Sequence, residues 1–458
     1  MLTQQTGQLA TQLPANLATD VYQVWVMDQG QRSASVYLNQ ARGQHFRLPD
    51  ITPGGSVRLF GRNLLLAGTT PQVRLVAQNG GSSGGPAQVQ AIDSYSLRLQ
   101  APASLVPGQA YDVYVSNGHG GKPGETLVAQ PLLAIGSGVD FFQLGVSWGA
   151  KFDFYQNVYN TRTDSRLALK TVGDGVANDL PAIQAAIDRA SADGGGVVLV
   201  LAGAYKLVLT GQGAIQMRSR VVLRGEGKTP LRCALAMARR QRAGRPMATG
   251  AFCGTTCAKP APADLTLTNM DNTGNFYNNM AGQGREVFMQ RIRFELNKGS
   301  WLWWANSDRV AILNSEFSQG VDAQAGYRGP LQLNGCQNFV VAHNHFTYAV
   351  DGLNLNNTRR GVFEDNQVDR DGSARWPAAL NLVNHVLILN FAEDLAVLNN
   401  QFRVVNGPAQ NAFDGETILA EGGGASRPDE EAGTVSSATS LTLQDNTKGW
   451  ARSSSNQW

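Results

Sequence analysis

The chain is poor in charge, poor in cysteine and free of long apolar runs. Charged residues make up 16% of its 458 positions and the formal net charge is +3. That balance is too weak to point to nucleic acid as a partner. There is no tract of about 18 apolar residues, so no membrane span is predicted, and no heptad repeat sets up a coiled coil. The opening MLTQQTGQLATQLPANL has neither the basic stretch nor the apolar core of a signal peptide. Four cysteines occur, Cys233, Cys253, Cys257 and Cys336. The FCGTTC spacing suits a small disulfide loop, and the second Cys/His pair that a zinc site needs is missing.

Glycine is abundant, at 51 residues, and 42% of the chain is hydrophobic. This profile fits a turn-rich β protein better than a helical one. The length exceeds what one core usually serves, so at least two domains are expected.

From about residue 20 to 135, short alternating runs are separated by Gly, Pro, Ser and Asn clusters: VYQVWVMD, SVRLFGRNL, PQVRLVAQ, SYSLRLQAP and QAYDVYVSNG. That pattern predicts a β-sandwich. The stretches ITPGGSVRLFGRNL and YSLRLQAPASLVPGQAYDVYVSNG resemble immunoglobulin-like TIG domains, in the Pro53 to Gly55 turn and in Gly61. The resemblance implies an accessory unit over residues 1–140 and leaves the chemistry to the rest of the chain.

Residues 173–200, GDGVANDLPAIQAAIDRASADGGGVVLV, change character halfway. Ala182, Ile183, Ala185, Ala186 and Ile187 form one helical stripe, Pro181 takes an early helix position, and Asn178 or Asp179 can cap the first amides. Gly194 to Gly196 then stop the helix ahead of an apolar β run. GDGVANDLPAIQAAID followed by GGGVVLVLAGAYKL resembles the start of the pectate-lyase superfamily of right-handed parallel β-helices. Asp179-Leu180 stands where that superfamily usually has Asp-Thr, and the turn from Leu201 to Tyr205 lacks its proline. The resemblance implies an all-β fold over residues 141–458, with the short helix covering the open end of the first rung.

A solenoid should repeat at the period of its rungs. MQRIRF, AILNSEF, VVAHNHF, VFEDNQV and LAVLNNQF end at Phe294, Phe317, Phe346, Val368 and Phe402, in steps of 23, 29, 22 and 34 residues. A base rung near 22 with insertions in two turns accounts for the steps. Asn344, Asn366 and Asn400 stand two residues before their anchors and form a column, which Ser315 interrupts. Such a column is expected to be a structural ladder, and the phenylalanines core stackers.

Aligned on the anchors, Asp322 and Asp351 fall five residues after Phe317 and Phe346, and Asp371 three after Val368, beside Asp369. Rungs lie about 4.8 Å apart, so these carboxylates gather on one face. Close like charges split their pKa values, as a general acid and a general base require. Sugar hydrolysis uses such a pair at about 5 Å or about 6.5 to 9.5 Å. Ordinary turn aspartates and a calcium ion bound by hard oxygen ligands are the other readings of the same residues. Asp414, Glu416 and Glu421 form a second-choice acidic set. Trp301, Trp304, Tyr327 and Trp376 offer flat faces for sugar rings, and Trp303 alternates with Trp304. The basic run from Arg232 to Arg245 reads as a solvated loop or an attractor of anionic polysaccharide.

The superfamily includes polysaccharide lyases, glycoside hydrolases and epimerases, which implies a polysaccharide partner. A lyase needs a base and a cation for the uronic carboxylate, and His343, His345, Arg359 and Arg360 are available. Acidic candidates outnumber such bases on the predicted face, so the expectation is a glycoside hydrolase with Asp322, Asp351 and Asp371 as its acids. It takes no cofactor beyond an optional calcium ion and acts extracellularly, without nucleic acid or membrane contact, and homo-oligomerisation is left open. A lyase and a non-catalytic carbohydrate-binding spike are the alternatives.

Overall fold

The computed structural model describes residues 2–5, 8–11, 16–80, 84–91, 93–209, 215–226, 232–237, 252–253, 261–268, 277–280, 284–296, 301–319, 330–348, 353–371, 386–405, 417–420, 437–438 and 443–444. No helix among them is long and apolar enough to cross a membrane.

Four of the five N-terminal runs form strands of one sheet, joined there by Gly85–Ala91, while VYQVWVMD is split into Tyr22–Val24 and Met27–Asp28 outside it. Ser56–Arg62, Ser96–Gln100, Gly85–Ala91, Gln72–Ala77 and Ala110–Ser116 pair antiparallel in that order. Alternate residues point inward, so Tyr111, Val113 and Val115 join Leu59, Leu75 and Leu97 in one core. Gly61 is needed because a Cβ there would lie 2.1 Å from the carbonyl oxygen of Arg42 on the neighbouring strand.

Beyond it the chain is a parallel β-helix of three sheets. One rung consists of Asp308–Leu313 in the first sheet, Glu316–Gln319 in the second and Leu331–Asn334 in the third. The first two sheets have nine strands each and the third has six. The register pairs Phe294, Phe317, Phe346, Val368 and Phe402 in succession, as the repeat predicts. Phe317 stacks on Phe294 at 4.9 Å and on Phe346 at 4.6 Å between ring centroids.

Two corners of the rung are tight and built alike. Between first and second sheets, Asn314, His343, Asp365 and Asn399 have positive φ, and each is followed by a member of the Ser/Asn column. Asn344 accepts from Ser315 N, Asn366 from Asn344 N and Asn400 from Asn366 N, each at 2.9 Å. The ladder is structural, and Ser315 carries it one rung further: its hydroxyl accepts from Ile292 N at 3.1 Å and donates to the Leu313 carbonyl at 2.8 Å. We expect Asn366→Ala to lower unfolding stability by about 1–3 kcal/mol, because buried donors and acceptors on both neighbouring rungs lose their partner; a denaturant titration reads this directly. At the corner from third sheet to first, Asn306, Gly335 and Asn357 take the positive φ. Length varies at the remaining corner, from second sheet to third, where residues 320–330, 349–352 and 372–385 separate successive strands.

The helix Leu180–Ala192 buries Ala182, Ile183, Ala186, Ile187 and Ala190 against the solenoid core, so it closes that end of the stack. Ala185 is only half-buried. Asp179 occupies the N-cap position without capping the helix through its side chain. Its buried carboxylate instead accepts from Val172 N at 2.7 Å and Gly173 N at 3.1 Å, tying the preceding turn to the helix start. Gly195, at φ +124°, could not carry a Cβ, which would lie 2.7 Å from the Arg220 carbonyl.

The first sheet is buried on both faces. Val287, Val310, Phe339 and Val341 point into the solenoid, while Phe288, Ala311, Val340 and Val362 point out against Phe142, Trp148, Phe152 and Phe154. The segment joining the two units is therefore packed down as a cover rather than left as a linker.

A polar seam runs beside that cover. Glu286, Arg309, Asn338, Arg360 and Asp394 hold the second position of successive first-sheet strands, all with positive φ. Each bulge turns a polar side chain outward, and four of them meet the N-terminal part. Glu286 pairs with Lys151. Arg309 binds both oxygens of Asp50, at 2.6 and 3.2 Å. Asn338 accepts from Gln130 at 2.6 Å, and Arg360 lies close enough to His45 to disfavour its protonation.

Burial, and then Arg360, push the pKa of His45 down to about 4. The unfolded chain thus takes up this proton near pH 6.5 and the folded one only near pH 4. Stability is complete above the first value and is lost as pH falls towards the second. The loss is on the order of 3 kcal/mol by proton linkage. Unfolding titrations between pH 7 and 4 should show this slope, and His45→Phe, which keeps the stack on Phe60, should flatten it.

Candidate functional site

With the first sheet covered, an extended ligand has the second and third sheets to lie on. On the second sheet, the residues flanking each inward anchor point to solvent, because strand side chains alternate. Two outward columns result. One runs Arg293, Glu316, His345, Gln367 and Gln401; the other runs Glu295, Ser318, Thr347, Asp369 and Arg403.

Three consecutive rungs converge on Asp369. His345 Nε2 lies 2.9 Å from its Oδ2, Gln367 donates to the same oxygen at 2.6 Å, and Arg403 donates to both oxygens at 2.9 Å. The Asp369 side chain is 6% exposed, against 45% for His345 and 50% for Arg403. Burial by itself would raise the pKa of Asp369, but the bonds from Arg403, Gln367 and His345 outweigh it and hold the value at about 2. The carboxylate is therefore ionised throughout mild acid.

An ionised carboxylate only accepts, so the contact to Asp369 assigns the proton of neutral His345 to Nε2, although the Gln367 amide nitrogen also lies 3.1 Å from that atom. The Nδ1 lone pair is then free to take a proton from a ligand, while half of the Arg403 guanidinium stays open to one. A base held in a fixed tautomer beside an exposed cation can remove a proton next to a carboxylate.

The residues expected from the sequence fall in several places. Asp322, Asp351, Tyr327, Trp376, Asp414, Glu416 and Glu421 lie outside the described residues. Asp371 closes the strand Gln367–Asp371 and is paired with Val405. The register sets Trp304 in the column of Leu333 and Leu355, both buried, and Trp303 in that of Gln332 and Asn354; Trp301 pairs with Tyr277. Arg359 and Arg360 begin a first-sheet strand: Arg359 is exposed and pairs with Glu393, and Arg360 belongs to the seam.

His343 takes the left-handed corner position before Asn344. The FCGTTC loop and the basic run lie largely outside the described side chains. The Cys336 thiol is buried, and burial pushes its pKa up to about 12. Among the described residues no group of three or more His, Cys, Asp or Glu could hold a metal ion.

Gln367 and Arg403 were not singled out by the sequence. The signal was nonetheless present, since His345, Gln367, Asp369 and Arg403 are all immediate neighbours of the rung anchors, whereas the carboxylates chosen stand three and five residues away.

No family model matches the chain. It is 34% identical over 158 residues to mannuronan C5-epimerase AlgE3 of Azotobacter vinelandii, a match covering 32% of this chain and 8% of that protein. It is 48% identical over 59 residues to mannuronan C5-epimerase AlgE1 of the same organism, covering 12% of this chain and 4% of that protein. The chain thus spans under a tenth of the length of these relatives. Among solved structures, the A-module of mannuronan C-5 epimerase AlgE4 from the same bacterium is 16% identical with a TM-score of 0.29, covering 58% of this chain and 98% of the module.

Proposed function

We propose that this chain is a polysaccharide-modifying protein that acts outside the cell and holds a uronic polymer along the exposed face of the second sheet. The observation that carries this reading is the His345–Asp369–Arg403 constellation, an oriented imidazole and a half-open guanidinium on an uncovered face. In the proposed reaction Nδ1 of His345 takes the proton from the sugar carbon beside the carboxylate, and Arg403 offsets the charge that develops on that carboxylate. Return of a proton to the opposite face inverts the carbon. Departure of the neighbouring glycosidic oxygen instead leaves a double bond. The relatives support the first outcome, because a C5-epimerase by name exchanges this proton.

Hydrolysis by Asp322, Asp351 and Asp371 is the second reading. It is supported by chain order, since Asp322 and Asp351 fall in the segments between second-sheet and third-sheet strands, where rung length varies, and Asp371 ends the strand that leads into another. Trp301, Tyr327 and Trp376 would then bear on the sugar rings, while the register keeps Trp304 in the inward column of Leu333 and Leu355.

One experiment separates the readings: incubation in D2O with polymannuronate and a panel of neutral polysaccharides, following deuterium at C5 by NMR, ultraviolet absorbance and new reducing ends. Deuterium without new ends marks epimerisation, absorbance with new ends marks elimination, and new ends without absorbance mark hydrolysis. No change across the panel would overturn the enzyme reading in favour of a carbohydrate-binding spike.

A further inference from the structure

The N-terminal unit carries a ribbon that joins none of the larger sheets. Tyr22–Val24 pairs antiparallel with Val36–Leu38, and Met27–Asp28 with Gln31–Arg32. Ser33 links the two ladders: its N donates to the Val26 carbonyl and its hydroxyl accepts from Val26 N, each at 2.9 Å. Asp20 ties the base of the ribbon to the sandwich, accepting from Gly120 N at 3.0 Å.

Five of the sixteen exposed large apolar side chains among the described residues are Leu17, Trp25, Val26, Met27 and Val36. They gather on one short stretch instead of scattering singly, and a gathered patch marks a binding surface. The Arg32 guanidinium lies over the Trp25 ring, 3.6 Å from its centroid, yet Trp25 remains 41% exposed. The stack fixes the indole without burying it, so a flat surface is held ready for a ligand. Polar groups stand two residues away along the ribbon. The exposed Gln23 donates from Nε2 to Ser35 Oγ at 2.7 Å. That bond leaves the Gln23 carbonyl oxygen and the Ser35 hydroxyl proton without partners among the described residues.

Ladders of three and two residue pairs are too narrow for the roughly 800 Å² that each side of a stable protein complex buries. A single pyranose suits the patch better. Its C–H face packs on an indole, and its hydroxyls both donate and accept, as the free groups of Gln23 and Ser35 require.

We propose that this ribbon is an accessory carbohydrate-binding site, with a pyranose of the polymer stacked on the exposed side of Trp25 and its hydroxyls bonded by Gln23 and Ser35. The sugar class rests on the polysaccharide reading above, and the place rests on the ribbon itself. A polymer held there stays at high local concentration beside the solenoid between turnovers.

Affinity electrophoresis of the full chain tests it, in gels containing polymannuronate or polyacrylate, an anionic polymer without sugar rings. Polymannuronate is expected to retard the parent protein. Trp25→Ala should weaken that retardation about tenfold, the size of a good stacking contact, and Trp25→Phe, which keeps a flat ring, should retain most of it. His345→Ala should be retarded like the parent. Trp25 is exposed, so its denaturation midpoint should not move on substitution, and turnover of short oligomannuronates by Trp25→Ala should match the parent. Equal retardation of Trp25→Ala and the parent overturns the proposal. Trp25-dependent retardation by polyacrylate as strong as by polymannuronate overturns the sugar assignment. A dimer of the parent that Trp25→Ala dissociates in sedimentation assigns the patch to a second copy and overturns it too. Trp25-dependent retardation without turnover would sink the enzyme reading and leave this site standing; turnover without it does the reverse.

Discussion

Replacing His345 with alanine is expected to lower turnover of a uronic polymer by about 10²–10⁴-fold, the usual contribution of a positioned general base. The effect should fall on kcat, because the polymer still has the rest of the exposed face to bind. His345 is half-exposed and its ring nitrogen contacts are all on the surface of one sheet. The fold should therefore survive, which an unchanged denaturation midpoint would verify. Added imidazole should restore part of the rate, a readout that a merely structural histidine would not provide.

Asp369→Asn is the companion test. The amide can still accept one bond, but it no longer fixes the Nε2–H tautomer, and it leaves Arg403 without its bidentate partner. Asp369 is thus a positioning residue, and its loss should lower kcat at nearly constant KM. Full activity in both variants would remove the base from this face and shift attention to Asp322, Asp351 and Asp371.

The largest stability effect is expected where the two units meet. Asp50 is 1% exposed and Arg309 is 8% exposed, so Asp50→Ala leaves a guanidinium buried with its main partner gone. Removing one member of such a pair typically costs about 3–5 kcal/mol, because the desolvation of the remaining charge is no longer offset. The double variant Asp50→Leu, Arg309→Met should recover most of that loss, since an apolar pair of similar volume avoids the desolvation altogether. Urea titrations of Asp50→Leu, Arg309→Met and the double variant, each against the parent protein, would give the coupling energy. If Asp50→Ala unfolds like the parent protein, the two units are not held by this contact. The apolar cover of Phe142, Trp148 and Phe152 would then carry the junction with the remaining seam contacts, Lys151 to Glu286 and Gln130 to Asn338.

Much of this architecture was legible in residue order. The helix stripe, the three glycines and the β run after them mark the closed end of a solenoid because each signal is local and periodic. The anchors from Phe294 to Phe402 set the register for the same reason: an inward apolar residue on every rung, phenylalanine on all but one, buries apolar area in one continuous column. The asparagine column was readable too, since its spacing from the anchor hardly varies.

The working face was not legible in that way. Strand alternation tells which side chains leave the core, and it is silent on what then covers them. The outward residues of the first sheet look no different in sequence from an open surface, yet residues between 142 and 154 lie across them. Asp50 and Arg309 are 259 positions apart, beyond the reach of any local pattern. His345, Asp369 and Arg403 meet only because parallel pairing stacks strands separated by rungs of unequal length. Local periodicity determined the solenoid, its cap and its register. Tertiary packing, by burying one sheet and leaving another open, decided which residues can meet a ligand.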